Sequence, residues 1–367
     1  MIPWFKPRYW GNEKRYVMDA LDSSWISGGE YIRKFESAFS IIHEKQGAVT
    51  VSNGTTALLL ALLTLKIGPG DEVIIPGYTF AAPANMVIAI GAKPVFIDVD
   101  SENWLLDPDL LEEKITHRTK AIIPVHIYGN VCYMKRICEI AAKYNLHVIE
   151  DVAEAAFSKH FNQYAGTFGS AGCFSFQATK TLTMGEGGAV LFSDPDDDQT
   201  ARVIRSHGMT ADKPYWHIEV GHNFRLTNMQ AAFGFAQLEK LDDIIQQKQR
   251  VYSRYIKNLT QVDGIKIQSI TENTDPVMWA VCLRIDPEKF RISRDAMRKQ
   301  LAHHGIETRA GFYVFNEMPL YSSTDLLPIS TEISRSVISL PSFPGLLDNE
   351  IDEICETFTK IGMDSYV

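Results

Sequence analysis

Four short apolar runs constrain this chain more than any other feature. They are EVIIP (Glu72–Pro76), KPVFIDVD (Lys93–Asp100), KAIIPVHIYG (Lys120–Gly129) and HVIEDVAEA (His147–Ala155). Each is rich in Val and Ile and ends in polar or turn residues, so each reads as a buried strand. Helix-like segments lie between and around them: Thr56–Leu65, Ala82–Ile90, Asp109–Ile115 and Met134–Tyr144. This alternation predicts βαβ units, an α/β fold and a largely parallel sheet between helices. Ligands on such sheets bind beyond the carboxyl ends of the strands. The residues just after each run are therefore the ones to read for chemistry.

The rhythm changes after about Asn223. A helical pattern runs from Thr227 to Leu259, with Met229, Ala232, Phe235, Leu238 and Leu241 on its apolar side. A strand-like WAVCLRI (Trp279–Ile285) and a helix-like SRDAMRKQLAHHG (Ser293–Gly305) follow. At 367 residues, 45% of them apolar, the chain is too long for one ordinary domain. The expected division is a large domain over residues 1–240 and a smaller α/β domain over 241–367, with the boundary inside the long helix. No repeat or low-complexity linker separates them.

The net charge of −9 is spread along the chain, and no basic stripe suggests nucleic acid or a membrane surface. The five cysteines (Cys132, Cys138, Cys173, Cys282 and Cys355) form no CxxC pair, which argues against a disulfide framework or a structural zinc. MIPWFKPRYW does not read as a secretory signal, and the most apolar stretch, Ala57–Leu65, is too short to span a bilayer. A reducing cytoplasm is the expected compartment.

Three segments carry candidate chemistry. In VSNGTTALLLALLTL, Asn53 and Gly54 make a turn, and Thr55 or Thr56 caps the helix that follows. A helix N-terminus offers free N–H groups and a positive dipole end to a phosphate, although every helix needs a cap. Asp151 stands where an apolar strand ends. A carboxylate buried there needs a cation, and a pyridinium nitrogen is one such partner; an N-cap or a metal ligand is as good a reading of that residue by itself. Lys180 follows the apolar run Cys173–Phe176 and precedes a glycine-rich turn, GEGG. A lysine so constrained can form a Schiff base, whereas an unconstrained one is an ordinary surface residue. GEGG is not G-x-G-x-x-G and precedes a strand-like run, which sets a dinucleotide loop aside. Phe80 is suited to stacking on a flat ring, or to core packing. Together and in this order, the turn, the aromatic, the strand-end Asp and the Lys follow the pattern of fold-type I pyridoxal-phosphate (PLP) enzymes.

The blocks SNGTTAL, PGYTF, VHIYG, IEDVAEA, FSFQATKTLTMGEGGA, GHNFRLTNMQAA and GIETRAGFYVFNEMPLY occur in register over nearly the whole chain. On them the chain resembles the DegT/DnrJ-type sugar aminotransferases. The resemblance implies an aspartate-aminotransferase-like fold, a homodimer with shared active sites, and PLP held on Lys180. Asp151 would pair with the pyridine nitrogen, Phe80 would stack on the ring, and Gly54, Thr55, Thr56 and Ser175 would hold the phosphate, joined by Asn223 from the neighbouring subunit. Glu154 stands where many members have Gln facing the ring hydroxyl side. Glu here, with DSSWISGGEY, YWH and NEMPLY, resembles the branch that includes GDP-perosamine synthase. Trp25, Ser27, Tyr31, His217, Arg225, Tyr313 and Asn316 are candidates for the substrate side.

The implied reaction takes an amino group from L-glutamate to a keto sugar, foremost a GDP-linked 4-keto-6-deoxyhexose, for lipopolysaccharide O-antigen or other surface polysaccharide. A UDP- or dTDP-linked keto sugar is a variant of this reading. Asn316 where close relatives have His, and Ala310 where Pro is usual, leave room for a free sugar acid such as an 8-oxo-octulosonate. A dehydratase of the same fold would carry His at the place of Lys180. A regulatory or binding protein on the same scaffold is the reading from another class.

Overall fold

The computed structural model describes residues 1–321 and 325–364. Its main sheet has seven strands in the order Val49–Val51, Gly188–Phe192, Ala171–Ser175, His147–Asp151, Thr119–Ile122, Glu72–Pro76, Lys93–Ile97. All pairings are parallel except those of Gly188–Phe192, which runs antiparallel to both neighbours. Every residue of Glu72–Pro76, Ala171–Ser175 and Gly188–Phe192 is buried, as expected of strands covered by helices on both faces. Lys93–Ile97 lies at the sheet edge, where Pro94 costs no ladder bond.

A second sheet, wholly antiparallel, has the order Ile265–Ile267, Val281–Ile285, Val337–Leu340, Arg309–Ala310. Its core gathers Val251, Tyr255, Leu259, Leu283, Met297, Ile338 and Phe358. Ile2 joins that core, and its N–H donates to the Gly305 carbonyl (2.7 Å). The first residues of the chain thus pack with the second sheet, a contact that a division at residue 240 leaves out.

The runs over 93–100 and 147–155 are strands only as far as Ile97 and Asp151, and three other expected elements differ more. The helical pattern over 227–259 is two helices, Asn228–Leu238 and Leu241–Leu259, because Lys240 leaves the helical region (φ −116°, ψ 22°). No Gly or Pro marks that break. The first of the two starts with a reciprocal cap, in which Gln230 N–H donates to Thr227 Oγ1 and Thr227 N–H to Gln230 Oε1. The run over 120–129 is a strand only as far as Ile122, since Pro124 has no N–H for the ladder. It ends in a turn where Tyr128 takes a left-handed conformation (φ 62°). The helix expected over 109–115 is a 3₁₀ turn, Pro108–Leu110, followed by one short helix, Leu111–Lys114. Among the described residues no helix is long and apolar enough to cross a membrane.

Candidate active site

The carboxyl ends of His147–Asp151 and Ala171–Ser175, the N-terminus of Gly54–Thr64 and the loop after Ser175 meet on one side of the main sheet. Asn53, rather than either threonine, caps the helix: its Oδ1 accepts from Thr56 N–H (2.8 Å), and its carbonyl accepts from Ala57 N–H (3.0 Å). A side chain that bends back on its own turn does this better than Thr55 or Thr56, which already lie inside the helix. The Gly54 and Thr55 N–H groups are left without an acceptor among the described residues. A Cβ on Gly54 would stand 2.6 Å from Ser175 Cβ, so only glycine lets the helix end approach that strand. Gly188 is equally required, because its Cβ would meet the Asn53 carbonyl at 2.5 Å. The result is a tight cradle of main-chain donors beside the Ser175 hydroxyl.

Asp151 is held by its backbone: its N–H donates to Pro124 O (2.9 Å), and its carbonyl accepts from His126 N–H (3.1 Å). Its Oδ1 accepts from Ala153 N–H (3.0 Å). The carboxylate is buried but forms no ion pair within 4 Å among the described residues. Burial pushes its pKa up, against the Ala153 hydrogen bond and the nearby charge of Lys180. Behind it, buried His126 accepts Cys132 N–H at Nδ1 (3.2 Å), which leaves its proton on Nε2 for Glu150 (3.1 Å). Glu150 also accepts three main-chain N–H groups, from Gly166, Phe168 and Gly169.

Glu154 faces Lys180. Its Oε1 is 3.5 Å from Lys180 Nζ, and its Oε2 accepts Tyr128 N–H (2.9 Å). That second bond explains the backbone at Tyr128, since the left-handed turn aims the N–H at the carboxylate. Burial raises the Glu154 pKa, and the Lys180 charge opposes it. Lys180 follows a turn closed by its N–H on the Gln177 carbonyl (2.8 Å). Its Nζ lies 3.9 Å from the centre of the Trp279 ring.

Trp279, Tyr128, Tyr78 and Phe312 wall the site, and the sequence singled out none of them. Tyr128 stacks in parallel on Trp279 (6.4 Å, 12°) and on Phe312 (5.7 Å, 9°). Its hydroxyl is 2.8 Å from that of Tyr78. Burial drives both phenol pKa values up, so both stay neutral. Tyr128 lay in plain view inside VHIYG. Trp279 opens a strand-like run of the second sheet, and nothing local marks its contact with a lysine of the first.

The substrate-side candidates, and with them the cofactor candidates Phe80 and Asn223, are mostly exposed. Phe80 is 59% exposed and meets Phe312 edge-on (6.0 Å). Trp25, Ser27 and Tyr313 are exposed. Asn228 pins the segment that bears the first two: its side chain donates to Trp25 O (2.7 Å) and its N–H to Ser27 O (2.9 Å). Asn223 and Arg225 are exposed and bound to each other (3.0 Å). His217 is exposed, and its Nδ1–H donates to His207 O (2.7 Å). Asn316 is half-buried, with its amide donating to Asp325 O (3.4 Å) and its Oδ1 without a partner among the described residues. Tyr31, expected on the substrate side, is turned inward instead. It packs on Tyr16 and Phe235 and donates its hydroxyl to Asp19 (3.1 Å). Burying that ring against two others outweighs leaving it in solvent.

The residues on this floor fit PLP. The two free N–H groups at a helix end suit its phosphate, the unpaired Asp151 suits a ring cation, and Lys180 suits the aldehyde. Among the described residues, no group of three or more His, Cys, Asp or Glu side chains is placed to hold a metal.

Residues 9–359 match the DegT/DnrJ/EryC1/StrS aminotransferase family. GDP-perosamine synthase of Escherichia coli O157:H7 is 41% identical over 365 residues, 99% of each chain. DesV of S. venezuelae, solved in complex with a ketimine intermediate, superposes with a TM-score of 0.90 at 33% identity, covering 96% of this chain and 94% of its own. TlmJ, an aminotransferase from Streptoalloteichus hindustanus, superposes with a TM-score of 0.93 at 28% identity, covering 100% of both chains. The chain belongs to the DegT/DnrJ/EryC1/StrS aminotransferase family and is a PLP-dependent sugar aminotransferase.

Proposed function

We propose that this enzyme moves the amino group of L-glutamate to the keto carbon of a GDP-linked 4-keto-6-deoxyhexose. It does so as a cytoplasmic homodimer with shared sites, in the synthesis of a lipopolysaccharide O-antigen or another surface polysaccharide. The carrying observation is the Lys180 amine, held 3.5 Å from Glu154 above a buried Asp151 that lacks an ion pair. The nucleotide is taken from the relative that spans 99% of the chain, a GDP-perosamine synthase. That likeness favours a nucleotide-linked sugar over a free sugar acid. The intact Lys180 opposes both the dehydratase and the non-catalytic reading.

Pyridoxal phosphate, when bound, supplies a protonated ring that draws electrons from a carbanion. Asp151 would keep that ring protonated, and Phe80 would lie on its face. Gly54, Thr55, Thr56 and Ser175 would hold the phosphate, with Asn223 of the partner subunit. Glu154 would orient the ring hydroxyl side and hold the free Lys180 amine. Lys180 Nζ would carry the cofactor between turnovers, take the proton from glutamate Cα, and return one to the sugar carbon that gains nitrogen. Trp25, Ser27, His217, Arg225, Tyr313 and Asn316 would face the sugar nucleotide. Two half-reactions through one site predict ping-pong kinetics. The test is optical. The purified protein should absorb in the visible and be bleached by L-glutamate, and the bleached form should regain colour with the GDP-linked keto sugar. Colour restored only by a free keto sugar acid would overturn the assignment, and so would a protein that takes up no added PLP.

A further inference from the structure

Trp279 links the two sheets at the reacting amine, and a second lysine fixes it there. Lys248, on the helix Leu241–Leu259, is 4% exposed and forms no ion pair among the described residues. Its Nζ donates to Trp279 O (2.6 Å) and to Ser342 O (2.9 Å). The other ties on Trp279 run toward the first sheet: its N–H donates to Tyr128 O (2.8 Å) and its indole N–H to Thr179 O (2.7 Å). Three hydrogen bonds therefore hold Trp279, two at its main chain and one at its indole, while Ser342 O anchors Lys248, and the ring centre lies 3.9 Å from Lys180 Nζ. Thr179 is the residue just before Lys180, so the same ring fixes the loop and faces the amine it carries.

We propose that Trp279 is a positioning residue for Lys180, giving the free ammonium an aromatic face to rest on, and that Lys248 acts through Trp279 by holding its main chain in place. The inference rests on Lys180 being the reacting amine. An ammonium over an indole face is attracted by the ring quadrupole. Other groups turned toward the amine are Glu154 at 3.5 Å and, through space, the Asp151 carboxylate; the Tyr128 and Tyr78 hydroxyls nearby are neutral. Glu154 and the indole together give the amine a defined place each time it is released. Burial pushes Lys248 down to about 7. Its two carbonyl partners are served in either protonation state, because a neutral amine still has two N–H donors.

The test uses protein stripped of cofactor, so that it stands apart from colour and turnover. Lys180 is labelled with acetic anhydride at neutral pH and quantified by peptide mass spectrometry, with exposed Lys299 as internal reference. Trp279→Leu should speed Lys180 labelling about two- to five-fold, the range of a cation–π contact of ordinary strength. Trp279→Phe, which keeps an aromatic face, should recover most of the protection, and Lys248→Met should fall between the two. If Leu and Phe label alike, or neither differs from the parent, Trp279 does not hold the amine. A folded Lys248→Met protein with parental labelling removes Lys248 from the device. Should Lys248→Met fail to fold, the Trp279 pair decides.

Discussion

The floor of the site and its rim are built differently. The floor comprises Asp151, Glu154, Lys180, the end of the Gly54–Thr64 helix and the aromatic wall. It is buried or half-buried and closely hydrogen-bonded. The rim comprises residues 206–223 with Trp25 and Tyr313, and Phe80 stands between rim and floor. Tyr215, Val220, Trp25, Ile218 and Tyr313 are between 60% and 87% exposed there, and Phe80 and Trp216 exceed half. Exposed large apolar groups, where they are contiguous, mark interaction surfaces. The difference teaches that the reacting side chains stand together on one protomer, whereas under the proposed dimer a second protomer completes the phosphate and substrate side. Changes to the floor should therefore alter catalysis whatever the assembly, and changes to the rim should act through it.

The hardest test of the floor is Lys180→Ala. It should lower turnover on the order of 10⁴-fold or more and abolish the borohydride-reducible link between cofactor and chain while leaving the oligomer intact on a sizing column. A variant that borohydride still joined covalently to PLP would end the claim that this amine carries the cofactor.

Asp151→Asn comes next, with a loss of about 10²–10³-fold in kcat. It also makes a stability prediction. Burial raises the Asp151 pKa, so ionising it opposes folding in the cofactor-free protein. That protein is favoured below the ordinary carboxylate pKa and loses stability as pH rises toward the folded value. At neutral pH, cofactor-free Asp151→Asn should therefore melt above the parent and gain little from added PLP. Calorimetry of both proteins, with and without cofactor, reads the crossover.

The rim is tested by Trp216→Glu. A buried aromatic anchor at an interface contributes about 2 kcal/mol or more, roughly 30-fold in a dimer dissociation constant. Sedimentation should show dissociation at micromolar protein, and activity should return as concentration is raised. Dissociation without any loss of turnover would sever rim from floor. The smallest effect is expected at Phe80→Ala. Stacking on a ring adds about 0.5–1.5 kcal/mol, so PLP affinity should weaken only about three- to ten-fold, read by titrating cofactor-free protein.

The floor was also the more legible part. Its Asp, its Lys and its helix turn each sit at a strand end, and strand ends can be read from local apolar runs. The largely parallel character of the main sheet follows from the same runs, whereas of the second sheet only Val281–Ile285 lay in a run that the sequence marks. What local sequence did not carry is whatever depends on distant partners. The break at Lys240 has no Gly or Pro and follows from packing. Tyr31 looks like a rim residue by position but finds Tyr16 and Phe235 through tertiary contact. Trp279 is an ordinary strand aromatic until the second sheet docks on the first. The cap at Asn53, and not at either neighbouring threonine, is not legible locally because Asn and Thr both cap helices and only the backbone decides between them.

The one reversed strand of the main sheet has a consequence for how the molecule is made. Gly188–Phe192 pairs on one side with Ala171–Ser175, a near neighbour in the chain, and on the other with Val49–Val51, far back along it. Closing the first pairing loses little chain entropy, and closing the second loses more. The loop that carries Lys180 can thus form from local contacts early, while the helix end facing it docks only when distant segments meet. A cofactor that touches both recognises the finished fold and not its precursors, so it shifts the folding balance by mass action. In a cell short of the vitamin, this enzyme should become scarcer, and not merely idle.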